Sequence, residues 1–375
     1  MNKKDNKKIG ILTMFYKSRN YGAVLQSYAL YKILDNNGFH VEQICYDEKY
    51  EYSFLRRIYR PFERITNRLL LLIKADCDIS KTEKIIYDWS MNNIRHSKNV
   101  YSKINIYKTN SKYDCFIAGS DQIWTYAFSD VYLLGFVNGK KHKISYAASL
   151  GNTSLPEKTK IKFSKYLSSY NAISVREETG QKLLTDCVDI PIYWCLDPTL
   201  LLEKKDWDMI CSKRMYEKQY VFCYFLGENE SSRILAKEYA IKNNKDIIIF
   251  PYLQGKFNRK DFSVNGINIY YASPSDFLSY IKYADIIFTD SFHASVFSII
   301  YDKNFFTFAR NQNDETTGRL YSLTKIFNCT DRFINEKRIN VDYFDLVDNN
   351  IYNHDLYEKK RIESLNYLLD AVKNY

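Results

Sequence analysis

Four short segments of this chain place side chains able to move a proton or bind a polar ligand where an apolar run ends. In Asp285-Ile286-Ile287-Phe288-Thr289-Asp290-Ser291-Phe292-His293-Ala294-Ser295, a histidine stands at a strand-to-helix transition. Imidazole titrates near neutral pH, so His293 in a cleft would donate or accept a proton during turnover, with Asp290 and Ser291 beside it to orient the ring. Ile173-Ser174-Val175-Arg176-Glu177-Glu178 ends another run with Arg176, a fork suited to phosphate or carboxylate. A structural histidine, and an arginine paired with its neighbouring glutamate, would leave the same pattern.

The other two segments suit hydroxyls. Tyr113-Asp114-Cys115-Phe116-Ile117-Ala118-Gly119 leads into Ser120, Asp121, Gln122 and Trp124. Carboxylate and amide groups match sugar hydroxyls, and an indole matches the apolar face of a sugar ring. After the first strand come Asn20, Tyr21 and Gly22, a tight turn whose following helix offers free backbone N–H groups to an anion or a hydroxyl. Simple capping turns account for both segments equally well. No G-x-G-x-x-G and no G-x-x-x-x-G-K-[ST] occurs in the chain, which removes the main support for dinucleotide-binding and P-loop readings.

The elements that must hold these residues alternate. Lys8 to Met14 reads as a strand and Tyr21 to Asn37 as a helix with apolar residues at three-to-four spacing, closed by Gly38. His40 to Tyr46 is the next strand, completing a βαβ opening. Strands then follow at Cys115 to Ala118, Lys143 to Ala147, Ala172 to Val175 and Ile190 to Leu196. Charged Glu203 to Lys218 marks a boundary, after which strands recur from Tyr220, Ile247, Ile286 and Phe305, and a last helix spans Leu356 to Val372. The pattern predicts an α/β protein of two Rossmann-like domains facing a cleft. The first covers 1–205 with a basic helical insert at about 50–112; the second covers 219–350; the helix of 351–375 packs back across the boundary. In such sheets ligands bind beyond the carboxyl ends of the strands, where all four segments fall.

Composition narrows the class. The 375 residues, 46% hydrophobic and 16% aromatic, exclude a disordered or low-complexity chain. No apolar run approaches the roughly 18 residues a membrane span requires, and the polar, basic start is unlike a secretory signal. The expectation is a cytoplasmic protein. A net charge of +10 suits an anionic ligand or an anionic membrane face without demanding nucleic acid. Eight cysteines without a C-x-x-C, mostly inside apolar runs, suggest reduced core residues and neither a zinc site nor a disulfide framework.

Taken together, the segments resemble the polysaccharide pyruvyl transferase family. The likeness runs from Ile9 to about Phe308 and rests on five motifs in order. These are Asn20-Tyr21-Gly22-Ala23-Val24-Leu25-Gln26, Gly119-Ser120-Asp121-Gln122-Ile123-Trp124, Ser174-Val175-Arg176-Glu177, Leu196-Asp197-Pro198-Thr199-Leu200 and Thr289-Asp290-Ser291-Phe292-His293. The resemblance implies the two-Rossmann arrangement called GT-B. It also implies transfer of pyruvate from phosphoenolpyruvate, as co-substrate with no further cofactor or metal, onto two hydroxyls of a sugar as a cyclic ketal. The acceptor would be a bacterial surface polysaccharide or its lipid-linked precursor, met on the Asn20, Tyr21, Gly22, Ser120, Asp121, Gln122 and Trp124 side. Arg176, Ser291, Phe292 and His293 would meet the donor. Some family members carry an arginine two positions before the histidine, where this chain has Ser291, so Arg310, Arg319 and Lys303 become candidates for the second anion contact. Asp121 or Asp290 would serve as base for a hydroxyl.

Two alternatives share the fold. A glycosyltransferase using a nucleotide sugar would hold the ribose with a second-domain glutamate, yet no glutamate occurs from Ala240 to Asp314. Its Asp-x-Asp candidates, Asp76-Cys77-Asp78 and Asp206-Trp207-Asp208, do not follow strands. A non-catalytic envelope-assembly partner is the other alternative, against which Arg176 and His293 argue. In the insert, Leu55, Ile58, Tyr59, Phe62, Ile65, Leu69 and Leu72 recur at helical spacing beside Arg57, Arg60, Arg64 and Arg68. That pattern fits a helix on an anionic membrane face, peripheral at its inner side, or a domain-packed helix with a solvated basic edge.

Overall fold

The computed structural model describes residues 7–47, 78–125, 129–252, 261, 264–310, 317–335, 340, 342–346 and 354–373. The basic apolar stripe of 55–72 and Asp76-Cys77 lie outside them.

The first half is built on four parallel strands, β1 (Lys8–Leu12), β2 (His40–Gln43), β3 (Cys115–Ala118) and β4 (His142–Ser145), in the order β2-β1-β3-β4. Two further parallel strands, β5 (Ile173–Val175) and β6 (Ile192–Trp194), reach this sheet through single bridges from Ile144 to Ala172 and from Ala148 to Val175. Helices cover the sheet: α1 (Tyr21–Asn36), α2 (Ile79–Asn93), α3 (Glu157–Leu167) and α4 (Glu178–Thr185). Burial on both faces explains why β3 is a continuous apolar run with no alternation. At the end of β3, a Cβ on Gly119 would lie 2.1 Å from the Tyr146 carbonyl oxygen, so only glycine lets the strand pass its neighbour there.

A short helix, α5 (Lys204–Asp208), leads to the second half. There the strands are β7 (Tyr220–Tyr224), β8 (Asp246–Ile249), β9 (Ile267–Asn268), β10 (Ile286–Thr289), β11 (Asn304–Phe308) and β12 (Phe333–Ile334). Their order is β12-β11-β10-β7-β8-β9, all parallel, which reverses direction between β7 and β10. That is the doubly wound order, with its crevice at the reversal. Helices α6 (Glu230–Lys242), α7 (Pro274–Lys282), α8 (Phe292–Ile300) and α9 (Thr317–Ile326) accompany these strands, followed by the single turn α10 (Tyr343–Leu346).

The final helix, α11 (His354–Lys373), returns to the first half. Tyr357 donates to the Leu200 carbonyl, Tyr367 to the Ser145 carbonyl, and Ser364 Oγ accepts from the Leu196 N–H. The halves also meet directly. The Tyr21 ring stacks on Phe277 with centroids 4.8 Å apart, its hydroxyl donates to Ala272, and the Trp89 indole N–H donates to Ser275. Among the described residues, no helix is long and apolar enough to cross a membrane.

Two departures from the sequence reading matter for the site. Helix α8 begins at Phe292, not Ser295, because Ser291 caps it: its hydroxyl accepts from the Ala294 N–H. That start puts His293 in the first turn. Helix α9 escapes the periodicity, since a glycine and several polar residues dilute its pattern, yet it carries Arg319.

Candidate active site

The carboxyl ends of both sheets converge on Arg176, which follows β5 and is 4% exposed. Its Nη1 lies 2.9 Å from Asp197 Oδ2 and 3.8 Å from Asp121 Oδ1, and its Nε lies 3.1 Å from Glu177 Oε1. From the other half, the Phe292 ring sits 4.3 Å from the guanidinium carbon, a cation–π contact across the cleft. Burial opposes the arginine's charge, but Glu177, Asp197 and Asp121 more than compensate and hold it protonated.

His293 meets the same cluster. Its Nε2 lies 3.6 Å from Asp197 Oδ2, too far for a hydrogen bond, and although buried it has no other hydrogen-bond partner among the described residues. The opposite edge of the ring rests on the turn at Gly22, where a Cβ would fall 2.2 Å from Nδ1. Glycine is therefore the only residue that allows α1 and α8 to bring their amino ends together. Asn20 caps α1, its Oδ1 accepting from Gly22 and Ala23 N–H.

Asp197 is the hinge of this arrangement. Oδ2 faces Arg176, His293 and the Ser120 hydroxyl at 3.1 Å, while Oδ1 accepts from both the N–H and the hydroxyl of Thr199. Burial pushes its carboxyl up, but His293, Arg176 and Thr199 outweigh that and hold it well below the usual range. In the sequence Asp197 stands in the Leu196-Asp197-Pro198-Thr199-Leu200 motif with no role evident from its neighbours. Its signal was a strand end followed by Asp-Pro, which sets the carboxylate to cap the Pro198–Leu200 turn.

Two more arginines approach. Arg310, just after β11, packs over Gly227 and reaches the Asp290 carbonyl with Nε at 3.4 Å. Arg319 on α9 is buried, and that burial together with Arg310 and Arg176 pushes its guanidinium down to about 9. Burial is the largest cause of that shift, Arg310 and Arg176 add to it, and Glu177 and Asp121 oppose it, so an anion brought to this guanidinium would favour its charged form. Lys303 is placed elsewhere, just before β11 beside Arg214 and Asp302, in a cavity of about 470 Å³ at the amino ends of the strands.

Several expected roles look different in three dimensions. Asp290 spends both oxygens on the N–H groups of Leu226 and Gly227, tying β10 to β7 at the reversal of the sheet. Burial raises its carboxyl against Arg310 and those N–H groups. Ser291 serves as the α8 cap. Trp124 belongs to the core, 1% exposed, its indole N–H bonded to the Tyr132 carbonyl, so it offers no face to a sugar. Tyr21 is interface packing. Asp121 and Gln122 stay near the cleft, Asp121 in left-handed backbone (φ 72°) with Oδ1 accepting from the Gln122 N–H. In the Asp206-Trp207-Asp208 motif, Asp206 completes a capping box with Glu203 and Asp208 pairs with Lys282. Among the described residues, no group of three or more His, Cys, Asp or Glu is placed to hold a metal ion.

Two sheets, a cleft at their carboxyl ends and a returning terminal helix define a GT-B-type fold. The chain is similar in structure to UDP-GlcNAc 2-epimerase from Methanocaldococcus jannaschii (TM-score 0.51, 11% identity, covering 96% of this chain and 92% of that one). It is similar also to UDP-N-acetylglucosamine 2-epimerase from Rickettsia bellii (TM-score 0.52, 12% identity, 98% and 96%). At such identities the likeness concerns fold alone. Among curated proteins none matches the sequence. The family model described as polysaccharide pyruvyl transferase matches residues 20–312, and the chain belongs to that family. Membership supports an enzyme role in polysaccharide pyruvylation, on a saccharide acceptor.

Proposed function

We propose that the protein transfers a pyruvyl group from phosphoenolpyruvate to two hydroxyls of a saccharide, forming a cyclic ketal on a bacterial surface glycan or its lipid-linked precursor. The observation that carries this reading is a buried arginine and a buried histidine at the carboxyl ends of the strands, Arg176 and His293, whose Nη2 and Nε2 have no hydrogen-bond partner among the described residues. Phosphoenolpyruvate brings a carboxylate and a phosphate, charge enough for Arg176, Arg310 and Arg319, and an alkene carbon that must be protonated. His293, at the positive end of α8, would deliver that proton to C3 and leave C2 electrophilic. Arg310 and Arg319 supply the anion contact that Ser291 does not. Asp197 acts through the other groups: it neutralises Arg176, faces the imidazole and keeps both halves in register.

The test is phosphate release from phosphoenolpyruvate with a panel of hexose and N-acetylhexosamine acceptors, beside His293→Ala and Arg176→Ala. Acceptor-dependent release abolished by both changes is expected. Wild-type protein that neither releases phosphate nor binds phosphoenolpyruvate would overturn the reading.

A further inference from the structure

Arg176 is surrounded by three carboxylates, and they are not equivalent. Asp197 has both oxygens engaged by Arg176, Ser120 and Thr199. Asp121 has Oδ1 on the Gln122 N–H. Glu177, 5% exposed, directs Oε1 to the Ser149 hydroxyl at 2.6 Å and to Arg176 Nε at 3.1 Å, while its Oε2 is buried with no hydrogen-bond partner among the described residues. An unmet carboxylate oxygen in the interior costs stability unless a ligand completes it. Two other buried atoms in the same cluster also lack hydrogen-bond partners among the described residues, Arg176 Nη2 and His293 Nε2. One open acceptor among two open nitrogens is the complement of a neutral O–H group brought against an anion.

We propose that Glu177 receives the proton of the attacking acceptor hydroxyl. The assignment rests on the pyruvyl-transfer reading and deepens it. In the step, His293 gives a proton to C3 of phosphoenolpyruvate. The sugar O–H bond breaks toward Glu177 Oε2 as its oxygen bonds to C2. The second hydroxyl then forms the second C2–O bond while the C2–O bond to phosphate breaks, and its proton leaves with phosphate. The proton on Glu177 returns through solvent to His293. Nothing is oxidised or reduced. The Ser149 and Arg176 contacts on Oε1 fix the carboxylate so that Oε2 alone faces the hydroxyl.

The experiment measures phosphate release from phosphoenolpyruvate with the hexose and N-acetylhexosamine panel, as a function of pH, for wild type, Glu177→Gln, Glu177→Asp, Glu177→Ala, Asp121→Asn and Glu178→Gln. Glu177→Gln should lower kcat about 10²–10⁴-fold, leave KM for phosphoenolpyruvate nearly unchanged, and lose the acidic limb of the kcat profile. Glu177→Asp should keep that limb at reduced rate, which separates lost chemistry from lost folding. Added formate should restore part of the rate of Glu177→Ala, an effect that a purely structural carboxylate would not give. Glu178→Gln, at a half-buried residue paired with Lys182 and Lys325, should behave as wild type. A Glu177→Gln enzyme with wild-type kcat, or one still active where Asp121→Asn is not, would overturn the assignment and leave the pyruvyl-transfer reading standing. Failure of wild-type protein to bind or turn over phosphoenolpyruvate would remove both.

Discussion

The two sheet ends that form the cleft solve one problem with opposite charges. In the first half the loops after β1 and β3 are clasped by neutral groups: Thr13 donates to the Ser120 carbonyl, and Gln26 bonds both Thr13 and the Ser120 N–H. In the second half the loops after β7 and β10 are clasped by a buried carboxylate, Asp290, on two backbone N–H groups. Around these clasps the first half gathers Asp121, Glu177 and Asp197 about one arginine, whereas the second contributes Arg310, Arg319 and an imidazole at a helix amino end. Under the proposed function, a carboxylate-rich wall suits hydroxyls that lose protons and a cationic wall suits an anionic donor. The asymmetry would then put the acceptor against the first half and the donor against the second, with Arg176 as the residue that crosses.

Removing the second half's acid should have the largest effect: His293→Ala is expected to lower kcat about 10²–10⁴-fold with donor affinity retained, by comparing steady-state rates with calorimetric binding. Gly22→Ala tests whether the walls must touch. Its methyl would collide with the imidazole and its Cβ, and a displacement near 1 Å predicts a loss of about 10²-fold in kcat together with about 1–3 kcal/mol of stability from overpacking.

Arg319→Leu sharpens the charge argument in the second half. It removes a buried cation near Arg310 and Arg176, so the rise in Tm produced by added phosphate should disappear. Differential scanning fluorimetry reads it. An unchanged phosphate response would place the anion elsewhere.

The first half predicts a pH effect of defined sign. Asp197 is held below the ordinary carboxylate value, so its contribution to stability is present above about pH 4 and is lost as the pH falls through its folded-state value. Asp290 is raised, and its ionisation therefore opposes folding at neutral pH, an opposition relieved on acidification. The stability gap between wild type and Asp197→Asn should narrow as the pH drops from about 6 to about 2, followed by urea unfolding. The smallest effect is expected at Trp124: Trp124→Phe should alter stability modestly and leave acceptor KM unchanged, because the indole is enclosed.

Much of this was legible in the residues. Alternating apolar runs located both sheets, and the polar residues just beyond them marked the cleft, because a parallel sheet buries its strands and frees only their ends. Pairwise roles were less legible. Nothing within Ser120-Asp121-Gln122-Ile123-Trp124 tells that Trp124 turns into the core while Ser120 reaches Asp197, since the first outcome depends on Tyr132, 8 residues further on, and the second on the Asp197 turn, 77 residues away from Ser120. Asp290 read as a base because it neighbours His293, but a residue at the reversal of a sheet is first claimed by backbone N–H groups of the strand beside it. Arg319 was named for its charge alone, and its importance emerged from burial against two other arginines.

The donor assignment is the centre of the account, and calorimetric titration tests it most directly. Phosphoenolpyruvate and a UDP-sugar would each be titrated into wild-type protein and into Arg319→Leu. The account predicts saturable binding of phosphoenolpyruvate by wild type, weakened at least tenfold in Arg319→Leu, a loss of about 1.4 kcal/mol or more, with no binding of the UDP-sugar. Binding of the UDP-sugar without binding of phosphoenolpyruvate would contradict it and make the protein a nucleotide-sugar enzyme on the same fold.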